Sequence, residues 1–205
     1  MNSKAIHNLS YGLYVLTSRL NSEDNGCIIN TAMQVSSNPH RISIAVNKEN
    51  YSNFLITESE KFTLSVISQD ATFDLFKRFG FQSGRNASKF IGIEDYLARD
   101  SNGIYYLTKG TNAYISVEVE KIIDLWSHTL YVGTISDMDI LSDTKPATYD
   151  FYREKIKPSS AKTDMSTAKI WRCSVCGYEY TGEYLPDDFI CPVCKHSAEY
   201  FELVN

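Results

Sequence analysis

Apolar and polar residues alternate with a period of two along much of the first 150 positions. Ile42, Ile44 and Val46 alternate with Arg41, Ser43 and Ala45; Phe62, Leu64 and Val66 with Thr63 and Ser65; Ile115, Val117 and Val119 with Ser116, Glu118 and Glu120. Successive side chains of a strand point to opposite faces, so this pattern predicts strands with one face buried. Aromatic and branched residues predict two more strands, at 11–18, ending at the polar run 21–25, and at 27–35, opened by Gly26. Helices are predicted only at 51–59 and 70–79, the second with Phe73, Leu75 and Phe76 inward. Many strands with few helices between them favour an antiparallel barrel over a parallel α/β sheet. No Gly-x-Gly-x-x-Gly follows a strand, which gives no support to a Rossmann nucleotide site.

After Tyr152 the pattern fades. Residues 157–169 are small, polar and without apolar period, and read as a linker. It divides the chain into a larger domain, 1–156, and a small one, 170–205. A length of 205 residues allows one ordinary domain and a small one. A net charge of −5 gives no reason to expect nucleic acid or an anionic membrane as partner. No stretch approaches the ~20 apolar residues needed to span a bilayer, and the first residues lack the basic region and apolar core of a signal peptide. The expectation is a cytoplasmic protein, because a disulfide reading of its cysteines would need an oxidising compartment that nothing else suggests.

Four of the five cysteines lie in the small domain as two Cys-x-x-Cys pairs, Cys173 with Cys176 and Cys191 with Cys194. Each spacing suits a tight turn that points both sulfurs inward, and two such turns make a tetrahedral thiolate cage for zinc or iron. Ligand chemistry alone leaves the metal open. If it is iron, the site takes up one electron without changing its ligands. A domain under about 40 residues usually needs a metal or other staple, so the cluster is expected to hold the fold as well. The fifth cysteine, Cys27, reads as a small buried apolar residue.

Cys-Ser-Val-Cys-Gly-Tyr-Glu-Tyr followed by Pro-Asp-Asp-Phe-Ile-Cys-Pro-Val-Cys resembles the rubredoxin family over about the last thirty-five residues. That resemblance implies one iron on Cys173, Cys176, Cys191 and Cys194, shielded by Val175 and Val193, with Gly177 as the turn glycine. Two departures stand out: a shorter loop between the pairs, and Lys195 where the second turn usually has glycine.

In the larger domain, Asn30, Thr31, Gln34 and Ser36 place amides and hydroxyls in a strand-like run that ends at Ser-Ser-Asn-Pro. Residues 46–53 offer a cation, amides and hydroxyls where a strand meets a helix N-terminus, an end that attracts phosphate through free N–H groups and the dipole. Taken singly, such residues are more often solvated turn residues. Together, Asn-Gly-x-x-x-Asn-Thr-x-x-Gln-Val-Ser-x-x-Pro, Asn-Lys-x-Asn-x-Ser, Phe-Gly-x-x-Ser-Gly-Arg and Lys-Phe resemble the flavin reductase-like FMN-binding family over about residues 5–150.

The resemblance implies a split β-barrel, usually a homodimer with FMN at or near the dimer interface. By position, Asn30, Thr31, Ala32, Gln34, Val35 and Ser36 match the strand along the isoalloxazine ring. Asn47, Lys48, Tyr51, Ser52 and Asn53 match the phosphate-side turn, and Ser83, Gly84 and Arg85 the loop beside the flavin. His128 matches a histidine that borders flavin and nicotinamide in some relatives, although Ser127 replaces the usual acid before it; a lone histidine before a strand is also often structural.

A nicotinamide gives up two electrons together, an Fe(Cys)4 centre accepts one, and a flavin can mediate between them. The expectation is therefore an oxidoreductase that takes hydride from NADH or NADPH onto FMN and passes single electrons through the iron. Such fusions resemble the high molecular weight rubredoxins of anaerobes, which implies a redox-protein acceptor such as a flavodiiron oxygen or nitric-oxide reductase. Six acids against Arg172 and Lys195 in 170–205 would steer a basic docking patch. Two other classes remain open: an electron carrier reduced by another protein, and a zinc-ribbon binding module on a β-barrel. The acidic small domain argues against the last touching nucleic acid.

Overall fold

The structure is a computed structural model and describes residues 2–85, 87–157, 169–175, 177–182, 184–187, 189–192 and 196–204. The chain divides into two compact units, Met1–Lys157 and Pro158–Asn205. No helix among the described residues is long and apolar enough to cross a membrane.

The larger unit is built on β1 (Tyr14–Leu20), β2 (Glu23–Ile29), β3 (Met33–Ser37), β4 (His40–Asn47), α1 (Tyr51–Ser59), β5 (Lys61–Ile67), α2 (Phe73–Gly80), β6 (Leu97–Arg99), β7 (Tyr105–Leu107), β8 (Thr111–Leu125) and β9 (His128–Ile140). Seven strands form one sheet in the order β2-β1-β5-β8-β9-β4-β3, and every pairing in it is antiparallel. Laid flat, its outermost strands would stand about 29 Å apart at the usual strand spacing. They are β2 and β3, consecutive in sequence and joined only through residues 30–32. From Ile29 to Met33 the chain reaches about 14 Å at most. The sheet must therefore curl until its ends nearly meet, and the result is a barrel split between β2 and β3.

This corrects the single strand expected over 27–35. At the seam Thr31 does the work of a ladder, with its hydroxyl donating to Ala45 O (2.6 Å) and accepting from Ala45 N (3.3 Å). The polar run 21–25 is likewise not all turn. Only Asn21 and Ser22 turn the chain, and β2 begins at Glu23, where Asp24 is held by Arg19 (2.7 Å) and Arg99 (2.9 Å).

The barrel interior holds Leu16, Cys27, Ile29, Ile42, Ile44, Val46, Phe62, Leu64, Val117 and Tyr131, with Ile56 of α1 inserted. In β4 the alternation holds for Ile42, Ile44 and Val46, which face the interior, although Ser43 between them is buried too. In β5 it does not, because Thr63 and Ser65 are as fully buried as Phe62 and Leu64. The β6–β7 hairpin covers that second face and is bound through its hydroxyls: Thr17 donates to Tyr105 O, Leu107 N to Ser65 Oγ, Asn102 to Ser116 Oγ, and Thr63 to Asp100. Small hydroxyl side chains suit a face covered by backbone. The second apolar cluster packs α2 and Tyr152 on β1. Helix α2 starts at Phe73, three residues later than expected, because Ala71 N bonds Ser68 O and Ser68 Oγ bonds Asp70 in a turn before it. It buries Phe76 and Phe79, while Phe73 and Leu75 are half-buried.

One position on β9 tolerates no side chain. A Cβ on Gly133 would lie 2.4 Å from Glu118 O and 2.6 Å from Val117 Cγ1. Backbone cannot step aside as a flexible side chain does, so Gly133→Ala is expected to destabilise the larger unit by about 3 kcal/mol. Urea titration would read this as a lower midpoint.

Candidate functional site

Helix α1 starts where β4 ends, and Asn50 caps it by accepting the Ser52 N–H (3.1 Å). The Asn53 N–H is taken by Asn50 O. With these two N–H groups engaged, the helix end offers its dipole more than its donors. The Asn53 side chain faces inward and donates to Val46 O (3.1 Å). Ser52 is fully buried, and its hydroxyl accepts from Asn25 of β2 (3.1 Å).

The loop 83–85 closes on this helix end. Gly84 lies against Asn25, and the Arg85 guanidinium lies over the Tyr51 ring at 4.9 Å. The Glu23 carboxylate at the Tyr51 hydroxyl raises the phenol's pKa. A cavity of about 580 Å³ opens here, lined in part by Glu23, Gly84, Arg85 and Tyr105. Behind the loop, buried Lys89 donates to Gly26 O (2.8 Å) and Phe79 O (3.1 Å) and ties the segment to β2 and α2. Cys27 is buried in the barrel, and burial pushes its thiol up against the opposing pull of Ser52 and Lys89.

On the other side of α1, strand pairing collects a second group. His128 is opposite Asn47 on β4 and Leu125 on β8. The Lys48 N–H donates to Ser127 O (3.0 Å), and its ammonium meets Asp124 at 2.6 Å. That ammonium, with the Trp126 N–H, holds the Asp124 carboxyl below the usual carboxylate range. The His128 ring is 2.9 Å from Ser127 Oγ.

The registers place Leu125, His128 and Asn47 in one row across the outer face of β8–β9–β4. The next row is Ile123, Leu130 and Ala45, and the next Lys121, Val132, Ser43 and Met33. Met33, Ile123 and Leu125 are exposed. Ion pairs at Arg41–Glu120 and Lys48–Asp124 rim this apolar face.

Of the residues singled out in the sequence, Tyr51, Ser52, Gly84 and Arg85 are linked through Asn25 and Glu23, while Asn47 and His128 are linked by the ladder and Lys48 by its bond to Ser127 O. Thr31 joins the second group through Ala45. Ala32 packs against the barrel interior. Asn30 lies in a separate cleft of about 260 Å³ with Tyr11, Tyr149 and Arg153. Gln34 bonds Ser36 O and the His40 ring at the β3–β4 turn, and Val35 sits in a bulge, exposed. Ser83 accepts the Arg85 N–H (3.3 Å). Asn25, Glu23, Asp124 and Trp126 were not expected at the site. Only Asn25 had a visible signal, its place in the Asn-Gly pair that begins the first flavin-family motif.

The smaller unit is a three-stranded sheet in the order β11-β10-β12, from β10 (Lys169–Cys173), β11 (Glu179–Gly182) and β12 (Phe201–Val204). Cys173 and Cys191 are buried with Phe201, against Trp171, Tyr178, Tyr180, Leu185 and Phe189. Each has a backbone bond: Gly177 N bonds Cys173 O (2.8 Å) with Gly177 at φ 74°, and Cys191 N bonds His196 O (2.8 Å). Val175 is half exposed. Cys176, Val193, Cys194 and Lys195 lie outside the described residues. Two buried thiols inside an aromatic wall fit a thiolate-bound metal.

Residues 6–160 match the family described as "Flavin reductase like domain", which is most of the chain. The chain belongs to this family. Residues 171–202 of this flavin reductase-like protein match a second family, "Rubrerythrin, rubredoxin-like domain". A high molecular weight rubredoxin of Moorella thermoacetica is 30% identical over the full length of both chains. A ferric-chelate reductase (NAD(P)H) of Archaeoglobus fulgidus is 34% identical over 80% of this chain and 95% of that one. Among solved structures, an FMN-binding protein from Thermus thermophilus shares the fold at 19% identity with a TM-score of 0.59, covering 66% of this chain and 73% of that one. The flavin reductase-like protein is thus a split-barrel domain of a flavin-binding fold, joined to a rubredoxin-like domain, the composition of an electron-transferring oxidoreductase.

Proposed function

We propose that the protein oxidises NADH or NADPH at FMN held by the larger domain and delivers single electrons through an iron bound by Cys173, Cys176, Cys191 and Cys194. The observation that carries this reading is the presence of both domains in one chain. A flavin, when bound, supplies the conversion between a two-electron hydride donor and one-electron acceptors, and the iron supplies the one-electron outlet. The net reaction balances as NAD(P)H plus two oxidised acceptors giving NAD(P)⁺, one proton and two reduced acceptors.

The chain's own residues bind, orient and shield. Lys48 and the α1 dipole attract the phosphate, and Arg85, held over the first residue of α1, Tyr51, adds a second cation. Thr31, bonded to Ala45 near the end of β4, and Met33, opposite Ser43, border the outer face where the ring would lie, with His128 in the same row as Asn47. No side chain need act as nucleophile. Burial of Cys173 and Cys191 keeps water from the sulfurs. A homodimer would cover the apolar outer face of β8–β9–β4–β3, which carries residues of the site. The acceptor is a redox protein, of which a flavodiiron oxygen or nitric-oxide reductase is the first to try. In the named relative from Archaeoglobus fulgidus the donor is NAD(P)H, which supports the same donor class here.

The test is anaerobic mixing of protein loaded with FMN and iron with NADH, and separately with NADPH, followed by the visible spectrum. Yellow flavin and red ferric–thiolate colour should both bleach within seconds with at least one donor. If both persist with either donor but bleach on adding a reduced redox protein, the chain is an electron carrier and not an NAD(P)H reductase.

A further inference from the structure

Strands β8 and β9 are joined by a two-residue turn, Trp126 and Ser127, between the paired residues Leu125 and His128. Trp126 has φ 62°. A tight hairpin often needs a positive φ at its first central residue, and glycine usually supplies it because a side chain there crowds the backbone. A bulky residue at this place is an outlier of the kind found where function holds it. Its side chain gains nothing from the fold in return, for Trp126 is 93% exposed.

The exposure does not come from a loose loop. The Trp126 N–H donates to Asp124 Oδ1 (2.8 Å), Asp124 Oδ2 accepts from Lys48 Nζ (2.6 Å), and the Lys48 N–H donates to Ser127 O (3.0 Å). Three bonds thus fix the turn to the end of β4, one row from Asn47 and His128. An indole in a strained, well-anchored turn is being presented.

We propose that Trp126 is a ring-contacting residue of this site, whose indole stacks on a planar heteroaromatic ring bound beside Asn47 and His128. Stacking suits the indole, which offers a large electron-rich face at little cost in side-chain freedom. The ring is the isoalloxazine of FMN or the nicotinamide of the donor, and the inference rests on the flavin reading above.

Because Trp126 and Trp171 are the two tryptophans of the chain, a full-length Trp171→Phe variant isolates the emission of Trp126. Iodide should quench that emission strongly in the flavin-free protein. Protection by FMN alone assigns the contact to isoalloxazine, and protection only when NAD⁺ is added to FMN-loaded protein assigns it to nicotinamide. Trp126→Gly should fold at least as well as the parent, since glycine suits the turn, yet weaken FMN binding or raise KM for the donor about fivefold, whereas Trp126→Phe stays within about twofold. The inference is overturned if neither ligand protects Trp126 and the glycine variant binds and turns over like the parent. It is also overturned if Trp126 is shielded without ligand and becomes accessible on dilution, which would make it a contact between two copies. A parent protein that binds no FMN would sink the flavin reading itself, which separates the two failures.

Discussion

Cys191→Ser is expected to abolish the red ferric–thiolate colour and all electron delivery to a protein acceptor, while NADH or NADPH still bleaches the bound flavin at a rate within about twofold of the parent. The first half follows from how little else holds the smaller unit together. Among its described residues the buried apolar cluster consists of Cys173, Cys191 and Phe201, with aromatic rings packed around them. A domain of this size buries too small a core to be stable unaided, so metal affinity and folding free energy are the same quantity. A serine at position 191 would place a poorer ligand at a site with no exposure and loosen the bond from Cys191 N to His196 O. Iron content should fall below the level needed for one ion per chain, and limited proteolysis should cut within the smaller unit before the larger. The second half follows from the division of the chain into two units, each with its own apolar cluster. Stopped-flow absorbance at the flavin band checks it. If the variant also lost flavin reduction, the outlet could not be a separate module and the relay would be wrong.

The smaller unit was legible in the sequence because its chemistry is local: two Cys-x-x-Cys spacings and a turn glycine are visible without the fold, and Gly177 stands where φ is positive. Strand β4 was legible for the same reason, by its period, and helix α1 was expected over the residues it occupies, although its Asn50 cap was not singled out. What local pattern could not show is which segment covers which. Residues 27–35 look like one strand because nothing in Asn-Thr-Ala announces a barrel seam; the break exists because β2 and β3 bond to opposite ends of a curled sheet. Thr63 and Ser65 look solvent-facing until the 97–107 hairpin is laid over them. Asn25 and Lys89 could be quoted as parts of a motif, but their work depends on long-range partners, Ser52 and the carbonyls of Gly26 and Phe79. Ile123 and Leu125 look like core in one dimension, and the fold leaves them exposed on an outer face.

Gly84→Ala should weaken FMN binding by a factor of ten or more, about 1.4 kcal/mol, while leaving the thermal midpoint of the larger domain nearly unchanged. The new Cβ would lie 1.9 Å from Asn25 Oδ1 and 2.6 Å from Asn25 Cγ, far inside contact distance. Asn25 cannot swing into solvent to make room, because it is buried and its amide donates to the fully buried Ser52 hydroxyl. The exposed loop is the softer side and must retreat, drawing Arg85 away from Tyr51 and one cation away from the helix end. The loss is therefore one of positioning, read as a higher Kd by flavin fluorescence titration. Asn25→Ala in the same chain removes the colliding amide. It should also cost about 1 kcal/mol through the Ser52 hydroxyl it strands. The double variant should bind FMN about as well as Asn25→Ala alone, so the two effects do not add. Simple additivity, or a Gly84→Ala protein that binds FMN like its parent, would mean that this contact does not set the position of the loop.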